Sequence, residues 1–138
     1  MSFREKMENN RGIITIVVVL AVVSLLLVGW FGTNISAEEN QLKITGLHGK
    51  KLPYTEIESV DLIDRLPTIT ARTGGYSLGG KKLGNFNTAE YGVVKLYLQN
   101  GEKPFIFITG TDGKLYFMNT GEPGDTNALY DEIMRKMN

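Results

Sequence analysis

The chain is expected to fold as a mainly β domain closed by one C-terminal α-helix and carried behind an N-terminal transmembrane helix. Three observations predict this. Residues 12–32 contain no charged side chain. Short alternating apolar runs separated by turn residues fill most of the rest. The last stretch carries an amphipathic helical pattern.

A helix of about 20 apolar residues spans the hydrocarbon core of a bilayer, since it rises about 1.5 Å per residue across about 30 Å. The run Gly12–Gly32 has that length, although Val and Ile crowd its first half. In lipid a lone segment must satisfy its own backbone hydrogen bonds, so β-branched residues there still build a helix. A cleaved signal peptide is the competing reading. Its apolar region is shorter, and Asn34-Ile35-Ser36-Ala37 places Ile35 where cleavage after Ala37 wants a small residue. An uncleaved signal anchor fits better. Trp30 and Phe31 stand at the end suited to the headgroup layer. Arg4, Lys6 and Arg11 precede the span, whereas Glu38 and Glu39 follow it and no Lys or Arg appears before Lys43. That bias predicts a single-pass protein of the cell membrane, with a cytoplasmic tail at 1–11 and an extracytoplasmic C-terminal domain.

Charge narrows the function. Three of the 15 basic and two of the 15 acidic residues lie before residue 33, leaving 12 against 13 in the remainder. A nearly neutral domain lacks the electrostatic footprint of a nucleic-acid binder. With no cysteine, disulfides, thiolate nucleophiles and zinc-thiolate sites are excluded.

Residues 33–41 are polar and read as a linker, so the folded domain is expected over 42–138. Leu42–Leu47 alternates, His48-Gly49-Lys50 turns, and Lys51–Tyr54 returns. Thr55–Glu58 reads as a tight turn before a strand at Ser59–Asp64. Residues 66–90 are rich in Gly, Thr and Asn and look looser. Tyr91–Leu98 alternates, with Val94, Leu96 and Leu98 on one face. Asn100-Gly101 signals a hairpin to Phe105–Thr109, which is apolar on both faces and so suits a central strand. Asp112-Gly113 signals a second hairpin, closed by Lys114–Asn119. Asp125 is placed to cap the final helix. Leu129, Ile133 and Met137 form its apolar stripe, widened by Tyr130 and Met134, and it covers one opening of a curved sheet.

Five segments carry a resemblance. They are Leu42–Gly49, Leu52–Val60, Arg72–Gly80, Gly84-Asn85-Phe86 and Val94–Leu98. Together they resemble the bacterial pleckstrin-homology (PH) domain family over roughly residues 42–137. The resemblance implies a PH-like antiparallel barrel or sandwich, often found behind a membrane helix. It transfers no catalytic residue and no cofactor. It implies a non-enzymatic module for protein–protein interaction or self-assembly at the cell surface, with a protein partner or a homo-oligomer.

Local motifs offer one alternative. Gly75-Tyr76-Ser77-Leu78-Gly79-Gly80-Lys81-Lys82 approaches the phosphate-cradling G-x-x-x-x-G-K-[ST] loop. Lys82 replaces the magnesium-ligating hydroxyl, and Leu83-Gly84-Asn85-Phe86 is no helix start, so the dipole is missing. The glycines otherwise supply positive φ in a hairpin or bulged loop. Arg72, Lys81 and Lys82 beside glycine N–H groups, with Tyr76 and Phe86, could instead hold a lipid headgroup or small anion. His48 is the only histidine and stands in a turn, which makes a poor metal site. Glu56, Glu58, Asp61 and Asp64 read as a solvated edge, since a calcium loop needs more oxygen ligands at closer spacing. No nucleophile–base pair is visible.

Overall fold

The computed structural model describes the backbone of residues 3–31, 33–46 and 48–138, and the side chains of 10–26, 33–46 and 48–138. The expected interfacial rings Trp30 and Phe31, the tail residues Arg4 and Lys6, and Leu47 lie outside the described side chains. Helix α1 covers Phe3–Phe31, and from Ile13 to Leu26 its large apolar side chains are exposed, Leu25 by 68%. Among the described residues, no helix is long and apolar enough to cross a membrane.

Two sheets follow. The first has the order β1-β2-β3, from β1 (Asn34–Ala37), β2 (Gln41–Thr45) and β3 (Lys50–Pro53). The stretch read as a linker therefore holds strand β1. Ile35 and Ala37 alternate with polar Asn34 and Ser36 and pack against the core, which gives this short segment a reason to pair. A 3₁₀ turn at Tyr54–Glu56 leads into the second sheet. Its order is β4-β8-β9-β7-β6-β5, built from β4 (Ile57–Ile63), β5 (Ile69–Leu78), β6 (Lys81–Thr88), β7 (Gly92–Leu98), β8 (Phe105–Gly110) and β9 (Leu115–Met118). Helix α2 (Pro123–Met137) ends the domain. The observed plan is mainly β with one C-terminal helix.

Three local expectations change. The stretch 66–90 is a long antiparallel hairpin, β5–β6, with register shifts between Ile69 and Ala71 and between Arg72 and Gly74. Its glycines allow close approach: Gly84 sits at φ +105, and a Cβ there would lie 2.7 Å from the Gly74 carbonyl oxygen. Helix α2 begins two residues before Asp125. Pro123 occupies its first turn, where a missing N–H costs nothing, and Asp125 lies in that turn rather than at the cap. The sheet is also not wholly antiparallel, because β7 pairs with β9 in parallel and no β7–β8 hairpin forms at Asn100-Gly101.

The physical reason is Asn119. This side chain is fully buried at the end of β9. Its Oδ1 accepts from Gln99 N at 2.8 Å, and its Nδ2 donates to the carbonyls of Asn100 and Glu102, each at 3.0 Å. The backbone groups that a tight hairpin would pair internally are satisfied by a residue from beyond the next hairpin. Strand β9 thereby enters between β7 and β8. The Asp112-Gly113 turn forms as the sequence implies, with Gly113 at φ 85 and its N–H donating to Gly110 O at 3.0 Å.

The six-stranded sheet buries both faces, as period-two alternation requires. Leu83, Tyr97, Ile106, Ile108, Tyr116 and Met118 meet Leu42, Ile44 and Leu52 of the small sheet and Leu129 and Ile133 of α2. On the other face Phe86, Val94, Leu96, Leu98, Phe105 and Phe117 form a second cluster. Ile63, Leu66 and Ile69, from the link between the two edge strands, pack on it. That link spans at most roughly 21 Å, whereas six flat strands would part their edges by about 24 Å, so the sheet curls. Thr68 pins the link by donating through N and Oγ1 to the Glu90 carboxylate at 2.7 and 2.8 Å.

Replacing Asn119 with Leu should cost about 3 kcal/mol, because buried backbone groups lose their partners. Chemical denaturation of the chain measures it. A change below about 0.5 kcal/mol, the range of an ordinary surface substitution, would contradict the role given to this side chain. Ile133 is fully buried under the sheet, so Ile133→Asp should leave an unpaired buried charge and unfold the domain, seen as loss of its thermal transition.

Candidate functional site

The five residues that sequence proximity gathers do not form one site. Phe86 is buried in the second core cluster and has no surface to offer a lipid. Lys81 is buried as well, and burial pushes its ammonium below its ordinary pKa. Arg72 is exposed opposite Phe86, whereas half-buried Lys82 lies opposite Ser77. Four rows of the hairpin separate these two cations, roughly 13 Å at the rise of a strand. Tyr76 turns towards α1, its hydroxyl donating to the Leu26 carbonyl at 3.1 Å. Its hydroxyl serves the helix. The near-match to a phosphate loop runs through a hairpin turn into strand β6, as its failed context implied.

A different place has the shape of a binding site. Strand β1 is the edge of its sheet, and α2 packs beside it. Between them lies a groove of about 500 Å³, walled by Asn34–Ala37 on one side and by Thr120, Asp125, Ala128, Leu129 and Glu132 on the other. Small side chains at Ser36, Ala37 and Ala128 leave the space. The rim is acidic. Asp125 and Glu132 line it, and Glu132, Glu38 and Glu39 all bear on Tyr54. Burial first, then those three carboxylates, raise the Tyr54 phenol pKa. Its hydroxyl donates to Glu38 O at 2.6 Å and ties the β1–β2 turn down. Sequence reasoning missed this groove because its strand was read as linker.

The opposite character gathers around Tyr116. Lys50 Nζ donates to the Tyr116 hydroxyl at 2.9 Å and stands 5.3 Å from the ring centroid. Lys95 pairs with Tyr116 across the parallel ladder. Burial, then the charges of Lys50 and Lys114, lower the Lys95 ammonium pKa. Nearby, burial pushes the Tyr97 phenol up to about 12, and its hydroxyl donates to the His48 carbonyl at 3.0 Å. His48 is an exposed turn residue with φ 62. Glu56, Glu58, Asp61 and Asp64 are exposed, and among the described residues no group of acidic or histidine side chains could hold a metal ion.

Residues 33–137 match the model of the bacterial PH domain. The chain belongs to that family. The match begins at Thr33, so the family's domain takes in β1 as the structure does. Bacterial PH domains are interaction modules rather than an enzyme family. Among curated proteins and among solved structures there is no match.

The lowered Lys95 pKa has a signed consequence. Below its folded pKa both states are protonated and the folded state bears the whole penalty. Above the ordinary value of 10.5 neither state is charged and the penalty is gone. Stability carried by this residue therefore rises with pH between those two points. Lys95→Met should raise the melting temperature near neutral pH, and the gain should shrink as pH approaches 10.5. A gain that stays constant over that range would contradict the assignment.

Proposed function

We propose that this chain is a membrane-anchored bacterial PH domain that binds a partner protein, or a second copy of itself, along the β1–α2 groove. The groove carries the reading. An open strand edge offers backbone hydrogen bonds to an incoming extended segment, and the adjacent helix supplies side-chain contacts. The acidic rim favours a basic segment. The family match supports an interaction module.

The anchor rests on different ground. The run 12–32 is uncharged, and the apolar side chains of α1 between Ile13 and Leu26 are exposed. So much apolar surface on one helix needs a cover, and a bilayer is the cover that suits a helix apolar on all sides. The Lys/Arg bias supports a cytoplasmic N-terminus and an extracytoplasmic domain. The alternative, a headgroup site over residues 72–86, loses support from the burial of Phe86 and Lys81 and the spread of the cations.

Two measurements test this. Protease added to intact cells should remove the C-terminal domain, and complete protection until lysis would reverse the topology. A photo-crosslinker at Ser36 or Ala128 in the full chain should give discrete adducts that Ala37→Trp, which fills the groove, abolishes. The same crosslinker at exposed Lys51 should give none. An adduct of twice the chain's mass identifies self-association. Equal crosslinking from all three positions would sink the groove as the binding surface.

A further inference from the structure

Three ammonium groups, Lys50, Lys95 and Lys114, gather where β3 meets β7 and the start of β9. Lys114 immediately precedes β9 and lines a cavity together with Lys95. Lys95 is the cross-strand partner of Tyr116, and Lys50 donates to its hydroxyl. The direction from α1 follows from the strands. Thr33, just beyond α1, shares a cavity with Gln99, Asn119 and Thr120. Strands β7 and β9 run parallel, so Leu98 and Met118 lie towards that cavity, and Val93 and Lys114 lie at the far end.

Counter-charges are distributed unevenly there. Lys50 and Tyr116 line a cavity of about 160 Å³ together with Glu56 and Asp112. Lys114 reaches Asp112 at 3.9 Å, with both side chains more than half exposed, a pair that contributes little. A second cavity, of about 120 Å³, is lined by Asn85, Val93, Val94, Lys95, Lys114 and Leu115. Among the described residues, no carboxylate lines it. Asn85 is the other polar residue of its lining, and its remaining walls are apolar. Apolar walls lower the local dielectric and strengthen attraction between an ammonium and an entering anion.

We infer that this second cavity, between Lys95 and Lys114 with Asn85 beside them, is a site for a small oxyanion of the phosphate type. Two ammoniums supply charged donors, and a phosphoryl group presents oxygens to both. Repulsion among Lys50, Lys95 and Lys114 is what the bound anion offsets. The site is separate from the β1–α2 groove and stands whether or not that groove binds protein.

The test uses the full chain in phosphatidylcholine nanodiscs, with lysine ammonium signals followed by NMR at low ionic strength. Pyrophosphate should shift the Lys95 and Lys114 signals saturably. Lys95→Met and Lys114→Met should each weaken binding about tenfold, and Lys51→Met should leave it unchanged. Lys114 is exposed, so its variant decides the matter independently of the stability change at Lys95→Met. A second arm omits pyrophosphate and places phosphatidylglycerol in the discs. A shift of the same two signals there assigns the site to a headgroup, and a response to pyrophosphate alone assigns it to a free phosphate. No saturable shift in either arm, or an equal shift with chloride, overturns the site.

Discussion

Strand β9 has to lie between β7 and β8, and most of what the domain presents depends on that insertion. A strand only four residues long cannot hold such a place by its ladder alone. Asn119 supplies the lock at one end, with donors and acceptor matched to the Gln99–Glu102 backbone. The alternation of β9 then serves both cores at once. Phe117 stacks on Phe107, ring centroids 4.5 Å apart, in the second cluster, while Tyr116 and Met118 enter the first. Burying both faces makes the strand central, and aromatic burial of this kind is among the larger single contributions to a small core.

The insertion also sorts charge. Parallel pairing of β7 with β9 places Lys95 beside Tyr116, with Lys114 just before β9 and Lys50 added from β3. Carboxylates line the β1–α2 groove, and Glu56 and Asp112 also stand beside Lys50. A chain whose basic and acidic residues balance at 15 each thus holds one groove with carboxylates on its rim and one cavity lined by ammonium groups.

Much of the architecture was legible because it is written locally. Leu129 and Ile133 at helical spacing forecast the buried face of α2, and Phe105–Thr109 forecast a central strand because both of its faces are apolar. Asp112-Gly113 forecast its own turn. Non-local features were not legible. Asn100-Gly101 signals a hairpin on local grounds, and the side chain that overrides it lies 19 residues further on. Strand β1 hid because Asn34 and Ser36 are its solvent-side positions and only Ile35 and Ala37 declare a core. The candidate site suffered most. Arg72, Tyr76, Lys81, Lys82 and Phe86 are close in sequence, but strand alternation and register disperse them. Lys50, Lys95 and Lys114 are far apart in sequence, and register brings them together.

Backbone NOEs across the β7–β9 seam test the insertion most directly. The expected result is a set of contacts between Leu96 and Phe117 and between Phe117 and Phe107, with none joining β7 to β8. Contacts linking Leu96 directly to the backbone of β8 would mean that the Asn100-Gly101 hairpin forms after all. The placement of Tyr116, the gathering of the lysines and the role of Asn119 would then all be wrong.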